Sequence, residues 1–355
     1  MKGDVASTDD SERLLEQVSR ALVSRRPLRI RGGDSKAFLG RPVDGDELDT
    51  RSHHGIVDYD PTELVVTVRA GTPLVQLNAA LDANGQMLAC EPPTFGGRAT
   101  VGGMMASALA GPRRPWSGSV RDFVLGCRVI TGAGKHLRFG GQVIKNVAGY
   151  DMSRLLAGSF GCLGVITEVS LKVLPKPRAQ HYLALPTNAH EARHKLIAWQ
   201  RAALPVTGAC WLNDTLHVRL EGGAGSVSAA ADRIGGAACE AGFWDDLREH
   251  KLPFFRDSRP LWRLSVPINA ALAGGPDDMI VDWAGAQRWV YSDASAESIR
   301  TSTHAVGGHA TCFTPGPGRD PFHPLPESLM HYQQQLKRQL DPLRLFNPGR
   351  LYTDL

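Results

Sequence analysis

Three glycine-rich segments, each adjoining a predicted strand, most constrain how this chain folds. They lie at residues 31–35, 96–106 and 158–166, all within the first 175 residues. Glycine has no Cβ, so the backbone can approach a ligand closely, and successive bare N–H groups form a concavity that favours anions. Together the three segments predict one site assembled from several loops, suited to a ligand with a pyrophosphate and flat rings.

The first two segments each have a simpler interpretation. Residues 28–31 alternate like a short strand and run directly into Gly-Gly-Asp-Ser at 32–35. No charged or aromatic side chain lies between residues 100 and 111. A tight turn leading into a close-packed helix of small residues would give the same pattern, so either segment alone leaves both interpretations open.

Hydrophobic periodicity predicts a mixture of helices and strands in the rest of the chain. Apolar residues at helical spacing predict a helix over 11–23, and a polar helix is expected over 328–340. Clean alternation after the third glycine segment predicts a strand over 165–173. Pro175 and Pro177 follow it, and they predict a domain boundary.

Composition excludes several functional classes. The chain has 355 residues, 42% of them hydrophobic and 21% charged, which is typical of a soluble globular protein. A dispersed net charge of +4, without zinc-finger or RNP patterns, argues against a nucleic-acid partner. The short basic pairs, such as Arg113-Arg114, are expected at the solvated surface. No apolar run reaches the roughly 18 residues of a membrane span.

The cysteines and the N-terminus indicate a cytoplasmic protein. Six scattered cysteines without a C-x-x-C pair fit reduced thiols and argue against an iron–sulfur cluster on this chain. No histidine stands at metal-ligand spacing, so no metal site is predicted, and His53-His54 is expected at a loop surface. The polar, acidic first residues do not have the pattern of a signal peptide.

Other ligand-binding motifs fit poorly. Gly223-Ala224-Gly225 follows a predicted strand, but Ser226 and its neighbours do not complete a Rossmann fingerprint, and no acidic strand end follows at the usual distance. The P-loop and the G-x-S-x-G nucleophile elbow are absent from the sequence. An NAD-dependent dehydrogenase would rest on the Gly223 loop alone.

Four ordered motifs carry a family resemblance. Residues 29–35, 92–103, 119–122 and 158–167 resemble the FAD-binding domain of the vanillyl-alcohol oxidase (PCMH-type) superfamily, over about half the chain. The sequences at 145–151 and at 347–350 are similar to the flavin subunits of glycolate oxidases, and the length is similar to the smaller, E-type subunit.

The resemblance implies an α+β fold with three parts. The expected parts are a PCMH-type FAD-binding domain over 1–178, its two α+β subdomains over about 1–90 and 91–178, and a ferredoxin-like C-terminal α+β domain over 179–355, with helices on one face of its sheet.

The resemblance also implies the cofactor site. It implies that residues 31–35 wrap the FAD pyrophosphate, that the 100–103 segment holds its other side, and that the third segment meets the cofactor through its backbone. The implied cofactor-binding residues are Arg31, Gly32, Gly33, Asp34, Ser35, Thr100, Gly102, Gly103, Gly164 and Ile166. Asp34 occupies the position where covalent members of the superfamily carry the flavin-linked histidine, so the FAD is expected to be non-covalent.

The implied reaction is the two-electron oxidation of a small 2-hydroxy acid, glycolate, to glyoxylate. Lys145, Tyr150 and Arg350 are hypotheses for the base, each equally compatible with a structural role. The metal motif of the superfamily's 2-hydroxyacid dehydrogenases is incomplete, because Leu325 and Pro326 follow His323-Pro324.

This departure favours substrate oxidation by a larger flavin subunit, with an iron–sulfur subunit taking electrons onward. Any contact with the inner face of the membrane would be made through these partners. The alternative is a non-catalytic flavin-containing assembly subunit.

Overall fold

The computed structural model describes residues 7–141, 151–271, 279–314 and 320–355. Its helices are α1 (Ser11–Ser24), α2 (Leu74–Asp82), α3 (Val101–Ser107), α4 (Arg114–Ser117), α5 (Val120–Phe123), α6 (Met152–Leu155), α7 (Ala189–Arg201), α8 (Ala224–Ile234), α9 (Gly242–Arg248), α10 (Ala296–Ala305) and α11 (Glu327–Leu340). Its strands are β1 (Leu28–Arg31), β2 (Asp46–Asp49), β3 (Ile56–Asp60), β4 (Val65–Arg69), β5 (Gln86–Met87), β6 (Val124–Ile130), β7 (His136–Gly140), β8 (Val165–Lys172), β9 (Leu174–Pro175), β10 (Ala179–Pro186), β11 (Val206–Leu212), β12 (Thr215–Gly222), β13 (Ala237–Ala238), β14 (Leu261–Ser265), β15 (Met279–Asp282), β16 (Gln287–Tyr291) and β17 (His309–Cys312).

The chain divides into two compact units, each made of discontinuous segments. Unit 1 comprises Met1–Ala110, Gly118–Pro175 and Pro324–Leu355, and unit 2 comprises Gly111–Ser117 and Lys176–His323. The expected boundary at residue 178 lies close to the junction after Pro175. The assignment of residues 324–355 to the C-terminal domain differs from the structure, which places them in unit 1.

Residues 324–355 belong to unit 1 because their backbone pairs with β1 and their apolar side chains pack into the core formed by α1, β1 and β2. The backbone N–H of Leu28 in β1 donates to the carbonyl of Leu345 at 2.7 Å, and that of Asn347 donates to the carbonyl of Leu28 at 3.0 Å. Phe346 is fully buried among apolar side chains of α1, β1 and β2. Burial of an aromatic ring of this size is a major stabilising contribution.

The larger sheet of unit 1 does not divide at residue 90. Its strands run in the order β3-β4-β8-β6-β7, and every neighbouring pair is antiparallel. The long strand β8 pairs with β4 on one side and β6 on the other, so strands from both expected subdomains share one hydrogen-bond ladder. Helices α2 and α3 contribute Leu74, Leu77 and Met104 to the core of this sheet. The parallel pair β1-β2 forms a separate small sheet with α1 against it.

Unit 2 contains a repeat that the sequence analysis missed. The order β10-α7-β11-β12-α8-β13 forms a half whose strands lie in the order β13-β10-β12-β11, which is the ferredoxin-like order. Strands β14 to β17 form a second half, and read from the other edge of the sheet they lie in the same relative order. The halves join where Trp211 of β11 pairs with Val281 of β15.

The two faces of the unit 2 sheet differ in what covers them. Side chains of α7, α8 and α10 pack on one face, in cores that include Ala192, Val227 and Ile299. The opposite face carries α9, whose Trp244 lies beneath the guanidinium of Arg219, 5.0 Å from it. The expectation of a ferredoxin-like sheet holds in the described residues, with α9 as an addition on the second face.

Two short motifs lie deeper than the sequence suggested. Arg113 is 7% exposed and donates two hydrogen bonds to the carboxylate of Glu221, so it is not a surface residue. His53 is 3% exposed, and its Nδ1 accepts from the backbone N–H of Asp10 at 3.0 Å. Both were expected at the surface because a pair of polar residues carries no periodic signal of burial. No helix in the described ranges is long and apolar enough to cross a bilayer.

Candidate functional site

A cavity of about 290 Å³ in unit 1 is lined by residues from all three glycine-rich segments and from the 324–355 region. Its walls include residues 32–37 after β1, Thr100 and Gly103 at the start of α3, and Phe160. Asn347 and Arg350 complete the lining. The volume is near the lower end of the range for small-molecule sites, about 300–1,000 Å³.

Gly32 and Gly33 allow the first loop to lie directly against the second. A Cβ on Gly32 would stand 2.5 Å from Oγ1 of Thr100, and a Cβ on Gly33 would stand 1.5 Å from the carbonyl oxygen of Arg98. Real side chains do not approach backbone oxygen that closely, so only glycine fits at residue 33. The glycine pair therefore has a structural requirement, and it leaves this wall of the cavity built from backbone.

Hydrogen bonds of its own residues fix the conformation of the second glycine-rich segment. Thr100 caps α3, and its hydroxyl accepts from the backbone N–H of Gly103 at 3.3 Å. Gly102 faces away from the cavity, because its N–H donates to the carbonyl of Ala70 at 2.8 Å and a Cβ there would lie 2.7 Å from that of Ala70. Thr100 and Gly103 line the cavity, whereas Gly102 provides close packing.

Asn347 connects the first loop to the third. Its Oδ1 accepts from the backbone N–H of Ile30 at 2.8 Å, and its Nδ2 donates to the carbonyl of Phe160 at 2.7 Å. The backbone of Asn347 has φ +40°, in the left-handed region that asparagine tolerates better than most residues. One side chain thus holds together two segments that are far apart in the sequence.

Arg350 and Lys36 bring positive charge to the cavity, and each donates to backbone carbonyls. The guanidinium of Arg350 donates to the carbonyls of Ala37, Leu39 and Arg41 at 3.0, 2.5 and 2.6 Å. Burial lowers its pKa from the ordinary value. Nζ of Lys36 donates to the carbonyl of Pro93 at 2.9 Å.

The charge balance of the cavity fits an anionic group. Arg29, Lys36 and Arg350 are its basic lining residues, and Asp34 is the one carboxylate among the lining residues that the structure describes. Oδ2 of Asp34 accepts from Nη2 of Arg29 at 3.0 Å. The excess of basic groups beside a glycine-built wall suits a pyrophosphate.

The structure sorts the residues predicted for the site. Those that line the cavity are Gly32, Gly33, Asp34, Ser35, Thr100, Gly103 and Arg350. Arg31 turns away, and its Nη1 donates to Oε1 of Glu47 at 2.9 Å. Ile166 lies in β8 opposite Val129, and a Cβ on Gly164 would stand 2.5 Å from a Val129 methyl. Ile166, Gly164 and Gly102 are therefore not part of the cavity lining. Lys145 and Tyr150 lie outside the described residues.

Sequence reasoning missed several lining residues. Arg29, Lys36, Ser107, Phe160 and Asn347 all line the cavity. The Asn-Pro-Gly-Arg motif was the one available signal for Asn347. The lysine and the aromatic ring had none, because their roles depend on contacts across the fold.

The comparisons with known proteins identify the family of the chain. A family model described as "FAD binding domain" matches residues 5–140. The chain is 56% identical to glycolate oxidase subunit GlcE of Escherichia coli (strain K12) over 347 residues, which cover 98% of this chain and 99% of that protein. It is 32% identical to glycolate oxidase subunit GlcD of Bacillus subtilis (strain 168) over 179 residues, covering 50% of this chain and 37% of that protein.

A solved structure of alkyldihydroxyacetonephosphate synthase shares the fold. It superposes with a TM-score of 0.68 at 16% identity, covering 95% of this chain and 75% of that one. The predicted cofactor, FAD, and the predicted α+β fold are confirmed. The chain therefore belongs to the GlcE family of FAD-binding oxidoreductase subunits, within the vanillyl-alcohol oxidase (PCMH-type) superfamily.

Proposed function

We propose that this chain is the smaller FAD-binding subunit of a glycolate oxidase, serving the oxidation of glycolate to glyoxylate. The observation that carries the proposal is the 56% identity to a glycolate oxidase subunit over nearly the whole of both chains. The cavity in unit 1 supports it, because its backbone-built wall and basic lining suit the pyrophosphate of FAD.

The residues proposed to hold the cofactor follow from the cavity. Gly32 and Gly33 let the backbone approach the pyrophosphate, while Lys36 and Arg350 offset its negative charge. Thr100 and Gly103 form the facing wall. When bound, FAD supplies a two-electron acceptor that no amino-acid side chain offers.

The cofactor is proposed to be non-covalent. Asp34 holds the position implied for a flavin-linked histidine, and its carboxylate is engaged by Arg29 at 3.0 Å. Precipitation of the protein with acid should leave the yellow colour in the supernatant. Colour that stays with the washed precipitate would show a covalent bond.

The described lining of the cavity offers little support for a base that would take the substrate's hydroxyl proton. No histidine is among the lining residues that the structure describes, and Asp34 is bonded to an arginine. Arg350 is unsuited to act as a base, because a guanidinium stays protonated and this one donates to four backbone carbonyls. Lys145 and Tyr150 remain hypotheses for that role.

The partners are therefore part of the proposal. We infer that a larger flavin subunit and an iron–sulfur subunit complete the complex, with substrate oxidation on the larger one. We propose that the complex lies in the cytoplasm, with any contact to the membrane made through those partners. The second candidate function, a flavin-containing assembly subunit without chemistry of its own, is favoured by the broken metal motif after His323-Pro324.

An absorbance spectrum of the purified chain, before and after anaerobic addition of glycolate, separates these functions. A flavin band that bleaches with glycolate would establish oxidation on this chain. A flavin band that persists supports the assembly role, provided that the reconstituted complex oxidises glycolate. A complex that contains this chain and leaves glycolate unchanged would overturn the proposed function. D-glucose, which has no carboxylate, serves as the negative control.

A further inference from the structure

A buried ion pair in unit 1 lies next to the segments that line the cavity. Nζ of Lys337, in the last turn of α11, lies 2.8 Å from Oδ2 of Asp341, the residue that follows the helix. The side chain of Lys337 is 3% exposed and that of Asp341 is fully buried, and neither is among the lining residues that the structure describes. Two apolar side chains of similar volume are often at least as stable at such a depth, so stability alone does not explain this pair.

The ammonium group of Lys337 is bound to the backbone of two separate segments. It donates to the carbonyl of Cys162 at 2.7 Å and to that of Phe346 at 2.8 Å, in addition to the carboxylate of Asp341. These acceptors use all three of its N–H groups. Cys162 belongs to the third glycine-rich segment and Phe346 to the C-terminal region, so one side chain joins segments that are distant in the sequence.

The carboxylate of Asp341 fixes the same C-terminal segment. Its Oδ1 accepts from the backbone N–H of Leu345 at 2.9 Å, and its Oδ2 accepts from that of Phe346 at 2.8 Å. The turn between β6 and β7 packs directly on this residue, because a Cβ on Gly132 would stand 2.5 Å from the Cα of Asp341. The two charges therefore bind each other and backbone groups, and the carboxylate has no exposure to water.

The backbone groups held by the pair adjoin two residues of the cavity lining. Phe160 lies two residues before Cys162, Asn347 directly follows Phe346, and both line the cavity. Nδ2 of Asn347 donates to the carbonyl of Phe160 at 2.7 Å, and Sγ of Cys162 donates to the carbonyl of Asn347 at 3.5 Å. The same two segments are therefore joined by Asn347 at the cavity wall and by Lys337 away from it.

We propose that Lys337 and Asp341 are positioning residues for the FAD site, and that they hold its third and C-terminal segments in the binding geometry. They act through the backbone of Cys162 and Phe346 and touch neither FAD nor substrate. A site that is held in place loses less conformational freedom when the ligand binds, and so binds it more tightly. The inference rests on the proposed placement of FAD in this cavity and does not depend on which acid is oxidised.

Equilibrium dialysis of the full-length chain against FAD, with bound flavin measured by absorbance, tests the proposal. Lys337→Met keeps a side chain of similar length and removes the ammonium group from two backbone carbonyls, so FAD affinity should fall by about tenfold or more. The variant also leaves Asp341 buried without its counter-charge, so its midpoint in urea unfolding should fall as well. Affinity and stability must therefore be measured separately.

The double variant Lys337→Met with Asp341→Asn separates the two effects. It has neither charge of the pair, so it should recover much of the stability lost in Lys337→Met. The carbonyls of Cys162 and Phe346 still lack the ammonium group, so FAD affinity should stay about tenfold or more below that of the wild type. Recovery of FAD affinity together with the urea midpoint would show a role in stability alone and would overturn the inference. The double variant also provides the test if Lys337→Met does not fold.

Leu81→Ala is the matched control. Leu81 is fully buried in the last turn of α2 and is not among the described lining residues of the cavity. Its truncation should lower the urea midpoint, because it leaves a void in the core of unit 1, while the folded protein should bind FAD as the wild type does. Wild-type FAD affinity in a folded Lys337 variant, or an equal loss of affinity in Leu81→Ala, contradicts the positioning role.

The outcomes separate this inference from the proposed function. A reconstituted complex that leaves glycolate unchanged would overturn the glycolate assignment, whereas the FAD affinities of the variants would stand. Wild-type FAD affinity in both the Lys337→Met variant and the double variant would overturn the inference and leave glycolate oxidation by the complex untouched. A wild-type chain that binds no FAD would also overturn the inference, since the pair would then have no cofactor site to position.

Discussion

The two units hold buried arginines by different means. In unit 1, Arg350 donates to four backbone carbonyls, which are neutral and so leave its charge intact. In unit 2, the carboxylate of Glu221 cancels the charge of Arg113, and the two form a buried pair. This difference indicates that the partner of a buried arginine distinguishes a role in ligand binding from a role in fold stability. Carbonyl-held cations remain available to an anionic ligand, whereas carboxylate-paired cations serve the fold.

The largest expected effect comes from breaking the buried pair. Glu221→Gln should lower the free energy of unfolding by about 3–5 kcal/mol, because it leaves Arg113 and Arg219 buried without their counter-charge. Denaturant unfolding measures this. Asp257→Asn, which removes the exposed partner of Arg259, should have no measurable effect. A loss below about 1 kcal/mol for Glu221→Gln would show that Arg113 is not held by charge.

A second prediction tests the backbone-built wall in unit 1. Gly33→Ala should cost about 2–3 kcal/mol of stability and most of the bound FAD, because its Cβ would collide with the carbonyl oxygen of Arg98, 1.5 Å away. Flavin absorbance per protein and thermal unfolding report the two losses. Gly225→Ala in α8 is the control, because nothing lies within 4 Å of its Cβ. Full FAD content in Gly33→Ala would contradict the close approach of the two loops.

Asn347→Ala tests the connection between the first and third loops. It should cost about 1–3 kcal/mol, because the N–H of Ile30 and the carbonyl of Phe160 both lose their partner. Dilution of the variant should also release FAD faster. Asn84→Ala removes an exposed amide bonded to the carbonyl of Ala80 and should change neither quantity appreciably. Unchanged FAD retention in Asn347→Ala would limit this residue to a role in the fold.

The smallest expected effect is a difference in acid sensitivity between the units. Burial lowers the pKa of His217 to about 4 and that of His250 to about 3 in unit 2, and lowers that of His53 to about 4 in unit 1. Each folded pKa lies below the unfolded value, so each contribution is fully present above about pH 6.5 and is lost as the pH falls towards the folded pKa.

Hydrogen exchange at pH 7 and pH 5.5 measures this difference. Unit 2 should lose roughly 1 kcal/mol per histidine over that interval, and so more than unit 1. His217→Phe should reduce the loss in unit 2, since phenylalanine can keep the stacking on Phe243 seen at 3.8 Å. Larger acid-induced exchange in unit 1 would show that other groups dominate.

The sequence was most informative where contacts are local. The predicted helices over 11–23 and 328–340 and the strand over 165–173 agree with α1, α11 and β8, because each has an internal periodicity. The loop at 32–35 was found because consecutive glycines are visible as a motif.

Features that depend on distant contacts could not be predicted. Asn347 bonds to Ile30, 317 positions earlier, and Arg113 pairs with Glu221, 108 positions later. The repeat in unit 2 was missed because it is a repeat of strand order, which hydrogen bonds between distant segments establish. No local pattern reports that Lys36 turns inward to a carbonyl.

Because residues 324–355 belong to unit 1, the last part of that unit is synthesised after unit 2. Asn347 and Arg350 leave the ribosome after the whole of unit 2, so the cavity that they line is unfinished while unit 2 is already available to fold. A nascent chain stalled before residue 347 would lack both. On the proposed FAD site, flavin binding would therefore wait for the last residues of the chain, and a chain shortened by about ten residues would keep the three glycine-rich segments but lose Asn347 and Arg350.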